Sequence, residues 1–204
     1  MTKSLVHVVD DDESLRTAVA RLLVAEGYEV RTHASAGDYL ISPPMANSAC
    51  IVLDLSMPGP SGLELQESLR RFPVALPIVF LTGTGDIESS VRAMKAGAVD
   101  FLTKPVKPEE LLRAVRAALD RHNAALDRRG AMERARERHG TLSPRERSVF
   151  DRVVAGEHNK VIARALGISE RTVKMHRAHV MEKMGAGSLA ELVQASALLD
   201  REAI

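Results

Sequence analysis

Aromatic side chains make up only 3% of the 204 residues, so any packed core has to be built from aliphatic groups. Cysteine occurs once, as Cys50. One cysteine excludes a disulfide framework within the chain and fits a reducing, cytoplasmic setting. Cys50 opens an apolar run and reads as a small buried hydrophobe rather than a reactive thiol. No apolar run approaches the length of a membrane span. The strand-like run at Leu5 follows the N-terminus too closely for a secretory leader. No membrane partner is therefore expected. The net charge is only +1, but its distribution is uneven. Up to residue 107 there are ten Lys and Arg against thirteen Asp and Glu, and beyond it eighteen against fourteen. The second half is where an anionic partner is to be sought.

A hydrophobic content of 45% in 204 residues suffices for two domains. Over the first 120 or so residues, short runs rich in Val, Ile and Leu recur at Leu5–Val9, Tyr28–Thr32, Cys50–Leu53, Ile78–Leu81 and Val99–Leu102. Segments of helical period lie between them, such as Leu15, Val19, Leu22 and Leu23, or Leu111, Leu112, Val115 and Leu119. Alternating strands and helices predict a doubly wound α/β fold, a five-stranded parallel sheet with helices on both faces. Near-continuous apolar strands are what a sheet covered on both sides requires.

From Pro108 to about His139 helix formers run almost unbroken. Leu112, Val115, Leu119 and Leu126 form a seam in which His122 fills one step, and Gly130 is expected to interrupt it. The seam reads either as a short coiled coil or as a solvated helix. From Leu142 onward the pattern is purely helical. Ser143-Pro144-Arg145-Glu146 is a capping box with proline at the first helical position, and Ser188 with Glu191 forms a second. Asn159 and Ser169 are the expected N-caps of two helices between them. The division predicted is 1–122, an α/β domain; 123–141, a helical linker; and 142–204, an all-α domain of four helices.

In a doubly wound sheet, ligands bind beyond the carboxyl ends of the strands. There the sequence sets Asp10-Asp11-Asp12-Glu13 after the first strand, Asp54 after the third, Thr82-Gly83 after the fourth and Lys104-Pro105 after the fifth. Each alone has a plain reading as helix cap, turn or surface lysine. Together on one rim they point to phosphoryl transfer. Clustered carboxylates suit a hard divalent cation, Mg²⁺ or Mn²⁺. A carboxylate can itself be the nucleophile, forming an aspartyl phosphate. Asp54 is placed to attack, Asp10 and Asp11 to hold the metal, and Lys104 and Thr82 to meet phosphoryl oxygens.

The runs "VHVVDDDES", "VLDLSMPGPSG", "IVFLTGTGD" and "MKAGAVDFLTKP" resemble the flavodoxin-like receiver domain of two-component response regulators, over about residues 3–122. The resemblance implies that Asp54 is the phosphoacceptor, that Asp11 is a direct metal ligand and Asp10 a nearer-neighbour or water-mediated one, and that the Ser56 backbone carbonyl is another ligand. It further implies that Thr82 and Phe101 form a switch pair, that Lys104 senses the phosphate, and that Lys104–Pro105 is cis. A dinucleotide-binding fold would need a glycine-rich turn where this chain has "DDDES". A phosphatase with an Asp nucleophile resembles a DxD pattern, and Ser56 stands where its second Asp belongs.

In "NKVIARALGISERTVKMHRAHVMEKMG", Ala163 permits close helix approach, Gly167 makes a turn and Val173 anchors the second helix. This is helix-turn-helix spacing. Arg171, Lys174, His176, Arg177 and His179 give that second helix a positive face. The whole segment from Leu142 resembles the LuxR-type DNA-binding domain, and the order of parts matches the NarL/FixJ family, in its FixJ branch. The resemblance implies that Lys174, Met175 and Ala178 enter the major groove, that Arg177 meets a base or a phosphate, and that Thr172, His176 and Lys160 are phosphate-side or structural. The function implied is a phosphorylation-dependent transcriptional regulator, not a turnover enzyme. A sensor histidine kinase would phosphorylate it. It would form a homodimer through the face that carries Val91, Met94–Ala98 and Phe101, and bind promoter DNA, with room for RNA polymerase as a further partner. The alternative is a constitutive DNA-binding protein whose first domain is a pseudo-receiver used for dimerisation.

Overall fold

The structure is a computed structural model that describes residues 3–41, 48–71, 75–83 and 87–199, with the backbone alone for 87–90. Residues 84–86 of the "IVFLTGTGD" motif lie outside the described residues. The chain divides into two compact units, Met1–Leu126 and Asp127–Ile204.

The first unit runs β1 (Leu5–Val9), α1 (Glu13–Ala25), β2 (Glu29–His33), α2 (Ala36–Ile41), β3 (Ala49–Asp54), α3 (Gly62–Leu69), β4 (Ile78–Thr82), α4 (Ile87–Lys95), β5 (Asp100–Thr103) and the start of α5 (Pro108–Gly140). The five strands are all parallel, in the order β2-β1-β3-β4-β5. The three inner strands are buried along their whole length. The expectation of continuous burial fails at the edges. β2 exposes Glu29, Arg31 and Thr32, and β5 is only partly covered, because an edge strand has a neighbour on one side only.

Successive side chains of a strand point to opposite faces, and the two cores divide accordingly. Val6, Val8, Cys50, Val52, Val79, Leu81 and Leu102 pack with Val19 and Leu23 of α1 and Leu111 and Val115 of α5. Val9, Ile51, Leu53, Ile78 and Phe80 pack with Tyr39, Leu65, Leu69 and Ala93 from α2, α3 and α4. Each fully buried aliphatic side chain contributes about 1.5–3 kcal/mol. A polar group interrupts this packing at His7, which is fully buried. Its Nδ1 lies 3.0 Å from Nε2 of His33, and both rings meet Tyr39 edge-on. Burial, aided by the nearby His33 and Arg31, lowers the His7 pKa to about 4, so the ring is neutral near pH 7.

The second unit contains α6 (Pro144–Val154), α7 (Asn159–Leu166), α8 (Glu170–Met184) and α9 (Leu189–Leu199), closed around Val149, Phe150, Ile162, Val173, Val180 and Leu192. Ser143 and Glu146 form the full capping box, with proline behind it. Ser188 caps the Glu191 N–H, while the Glu191 carboxylate accepts from the Gly187 N–H. Gly167 ends α7 at φ 64°, in the left-handed region that glycine enters without steric cost. The last turns of α5 pack into this unit: Arg138 Nη1 donates to the Met184 carbonyl at 3.0 Å, and the His139 ring meets Phe150.

Two sequence expectations are corrected. Gly130 does not interrupt α5, which is helical from Pro108 to Gly140. One interior glycine costs about 1 kcal/mol, less than a run of strong helix formers on both sides restores. Asn159 is not an N-cap. His158 occupies that place without a side-chain cap, and Ser169 alone of the expected pair caps its helix. The Asn159 side-chain oxygen, Oδ1, accepts instead from Arg177 Nη1 at 2.8 Å.

The start of α3 is pressed against the end of β3. A Cβ placed on Gly62 would overlap the Asp54 carbonyl oxygen and sit 3.1 Å from Leu55 Cα and 3.0 Å from Phe80 Cε1. Backbone cannot yield as a flexible side chain does. Gly62→Ala should therefore cost about 1–3 kcal/mol, measured by urea unfolding; an unchanged midpoint would contradict this packing.

Candidate functional site

The strand pleat dictates which polar groups converge. Val8, Val52 and Leu102 face the core shared by α1 and α5. Two residues further along each chain stand Asp10, Asp54 and Lys104, which keep the same side as the strands run out. Register aligns them, since Val9 lies opposite Leu53 and Asp54 opposite Leu81, whose other neighbour is Leu102. The Lys104 ammonium consequently sits between two carboxylates, 2.9 Å from Asp10 Oδ2 and 3.1 Å from Asp54 Oδ2. Lys104–Pro105 is cis, as the resemblance implies.

Asp10 is 1% exposed and Asp54 4%, so these are not solvated surface acids. Burial pushes the Asp54 carboxyl above its ordinary value, against the hydrogen bond from Lys104, and the Asp10 charge adds to the rise. Burial works against the Lys104 ammonium too, but the hydrogen bonds to Asp10 and Asp54 outweigh it and its pKa is raised. Oxygens of Asp10, Asp11 and Asp54 all lie within 4.8 Å of one another. Unit charges about 4 Å apart interact by about 4 kcal/mol at an effective dielectric constant of about 20. Repulsion among three carboxylates is then as large as anything one ammonium returns. The donor set is all oxygen and short of positive charge, which fits a hard divalent cation.

The rest of the rim is held by backbone contacts. The Asp12 N–H donates to Asp10 Oδ1 at 2.9 Å, and the Ser56 N–H to Asp54 Oδ1 at 3.4 Å. Asp12 itself caps α1 through the Ser14 and Leu15 N–H groups, so the plain reading holds for this one of the three. Arg16, which sequence reasoning missed, donates from Nη1 to the carbonyls of Asp10 at 2.7 Å and Asp11 at 3.3 Å. It clamps the loop that presents both acids. No motif spacing marks it; only its place one turn into the helix behind "DDDE" could have done so. Thr82 is buried and its hydroxyl donates to the Gly83 carbonyl at 3.1 Å. Phe101 lies opposite Phe80 in the register. Since Phe80 and Thr82 alternate to the same side, Thr82 and Phe101 share the sheet face opposite the acids. On α4, Val91 and Met94 are exposed, whereas Ala98, just after the helix, is buried.

In the second unit, α8 buries Val173, Val180 and Met184. Arg171, Lys174, Met175 and Ala178 are exposed, as is Lys160 on α7. Arg171, Lys174 and Lys160 make no ion pair among the described residues. The expected positive face is otherwise narrower than the sequence suggests. Arg177 is half-buried and bonded to Asn159. Thr172 shares its hydroxyl with Ser169, and His176 is half-buried with Nδ1 sealed and unpartnered. His179 turns toward Glu146, 3.7 Å away, where Lys183 joins it at 2.7 Å.

The comparisons with known proteins bear on both units. Residues 6–116 match the family model for the response regulator receiver domain, and residues 140–196 that for bacterial regulatory proteins of the luxR family. Nodulation protein W of Bradyrhizobium diazoefficiens is 45% identical over 97% of this chain and 87% of its own. The transcriptional regulatory protein FixJ of Azorhizobium caulinodans is 44% identical over 97% of this chain and 94% of its own. Among solved structures, the response regulator StyR superposes with a TM-score of 0.82 at 41% identity, covering 96% of this chain and 99% of that one. Full-length FixJ from B. japonicum does so with a TM-score of 0.59 at 37% identity, covering 98% and 99%.

Glu146 joins the first turn of α6 to the last turn of α8. The bond from Lys183, with those from the Ser143 N–H and hydroxyl, holds its carboxyl at about 2 instead of 4.5. A depressed acid stabilises the fold above its unfolded pKa, and that stability is lost as pH falls through the folded value. Stability should therefore drop between about pH 4.5 and about 2, and Glu146→Gln should flatten the drop. Calorimetric melting of the full chain against pH checks this; parallel profiles for the two proteins would contradict it.

Proposed function

Since this chain belongs to the response regulators that join a receiver domain to a LuxR-type helix-turn-helix domain, we propose that Asp54 is its phosphoacceptor and α8 the helix it lays in DNA. Family membership makes the chain a phosphorylation-regulated, DNA-binding transcription factor, whose only chemistry is that of its own phosphoaspartate. The observation that carries the assignment to Asp54 is the Lys104 ammonium shared with Asp10.

Asp54 Oδ attacks phosphorus and forms an O–P bond as the N–P bond of a phosphohistidine on a partner sensor kinase breaks. Burial leaves the Asp54 carboxylate poorly solvated, which favours attack over rest. Lys104 moves its hydrogen bond from the carboxylate to a phosphoryl oxygen, and the Thr82 hydroxyl turns from the Gly83 carbonyl to another. Asp10, Asp11, Asp54 and the Ser56 carbonyl would hold Mg²⁺ or Mn²⁺. When bound, the cation offsets charge on the transferring oxygens. Arg16 keeps the Asp10–Asp11 loop in place throughout.

Phosphorylation adds charge at the strand ends. Movement of Thr82 opens or fills space beside Phe101 on the same sheet face, and α4 with its exposed Val91 and Met94 follows. That face then pairs with its copy in a homodimer. In α8, Lys174, Met175 and Ala178 face the bases, with Arg171, Thr172, His176 and Lys160 toward phosphates or the domain's own framework. RNA polymerase is the partner a promoter-bound regulator meets next. Such a regulator works in the cytoplasm; among the described residues no helix is long and apolar enough to cross a membrane.

Acetyl phosphate with Mg²⁺ should add one phosphoryl mass to the intact protein, and Asp54→Asn should abolish the increment. Labelling that survives in Asp54→Asn would move the acceptor elsewhere. Lys174→Ala should cost about 1–3 kcal/mol on promoter DNA and relax preference at one base position. A loss spread evenly over all sequences, measured by fluorescence anisotropy, would make Lys174 a phosphate contact instead.

A further inference from the structure

Arg177 stands at an unusual place for a charge. Val173, Val180 and Met184 are the buried residues of α8, and position 177 continues their spacing, four residues after the first and three before the second. The arginine thus starts from the helix's inward stripe. Its stem has to run outward over α7 to bring the charged head to water, and Nη1 ends 2.8 Å from Asn159 Oδ1, at the first residue of α7. The other guanidinium N–H groups make no hydrogen bond among the described residues and are not sealed from solvent. One neutral acceptor therefore fixes the fork, and the rest of its donors stay open.

Resting on the reading of α8 as the DNA helix, we infer that Asn159 is a positioning residue of the DNA interface: it aims Arg177 at a backbone phosphate without cancelling its charge. Two features favour phosphate over base. The head lies at the start of α7, and in helix-turn-helix domains the first helix crosses the sugar–phosphate backbone. Lys160, exposed and free of ion pairs among the described residues, lies next to Asn159 and adds charge at the same spot. The amide also explains why the anchor is not a carboxylate. Aspartate would accept the same bond, but the charge-assisted pair would neutralise the guanidinium that the phosphate needs.

The aspartate variant is accordingly the sharpest test. Asn159→Asp keeps the shape of the side chain, retains the bond to Arg177 and suits the first turn of a helix electrostatically, so the fold is kept and only the charge changes. The full chain, treated with acetyl phosphate and Mg²⁺, is titrated onto a mixed-sequence duplex over a range of salt concentrations. For Asn159→Asp the slope of log K against log salt should flatten by about 0.9 for each protomer bound, as it should for Arg177→Ala. Asn159→Ala should weaken binding in the wild-type background and add nothing in Arg177→Ala. A wild-type slope in Asn159→Asp, or effects of Asn159→Ala and Arg177→Ala that simply add, would overturn the inference while leaving DNA binding intact. A wild-type chain that binds no duplex would overturn the DNA reading, and the inference with it.

Discussion

One ammonium shared by two buried carboxylates is the constraint on which the first unit depends. Lys104 lies within 3.1 Å of both Asp10 and Asp54, and both acids are buried. Leaving a buried charge without its partner costs several kcal/mol, so three strands are held in register at their carboxyl ends by a contact that does not fully satisfy any of its members. The deficit of positive charge is also what suits the rim to chemistry. A divalent cation would supply the positive charge that the cluster lacks.

The second unit solves a related problem by closing it. Glu146 takes bonds from the Ser143 N–H and from Lys183 and faces His179, and its carboxyl is held at about 2. That network is internally satisfied and fixes α8 against α6. Arg171, Lys174 and Arg177 of α8 make no ion pair among the described residues. A satisfied inner network and an unsatisfied outer face together define which charges are available to an anionic partner.

Much of this was legible in the sequence because its signals were periodic or positional. Runs of Val, Ile and Leu located the inner strands to within a residue, and the polar residues after four of the strands identified the rim. An Asn before an apolar period looks like a cap, but the partner of Asn159, Arg177, lies eighteen residues away. Arg16 and Gly62 escaped for the same reason: the clamp on the Asp10 carbonyl and the close approach to Asp54 exist only once the chain has folded. Buried His7 shows the limit most plainly. "VHVV" reads as a strand whichever way His7 faces, and only the tertiary meeting with His33 and Tyr39 places it inside. Gly130 is unfavourable within a helix, but the helix formers on both sides carry α5 through it.

On the proposed reading, charge arriving at Asp54 changes how the second unit binds DNA. The direct measurement is the affinity of the full chain for promoter DNA, taken before and after treatment with acetyl phosphate and Mg²⁺, in the wild type and in Asp54→Asn. Tighter binding after treatment in the wild type, with no change in Asp54→Asn, is the result predicted. Equal affinity in all four conditions would contradict it and leave a constitutive DNA-binding protein with a pseudo-receiver.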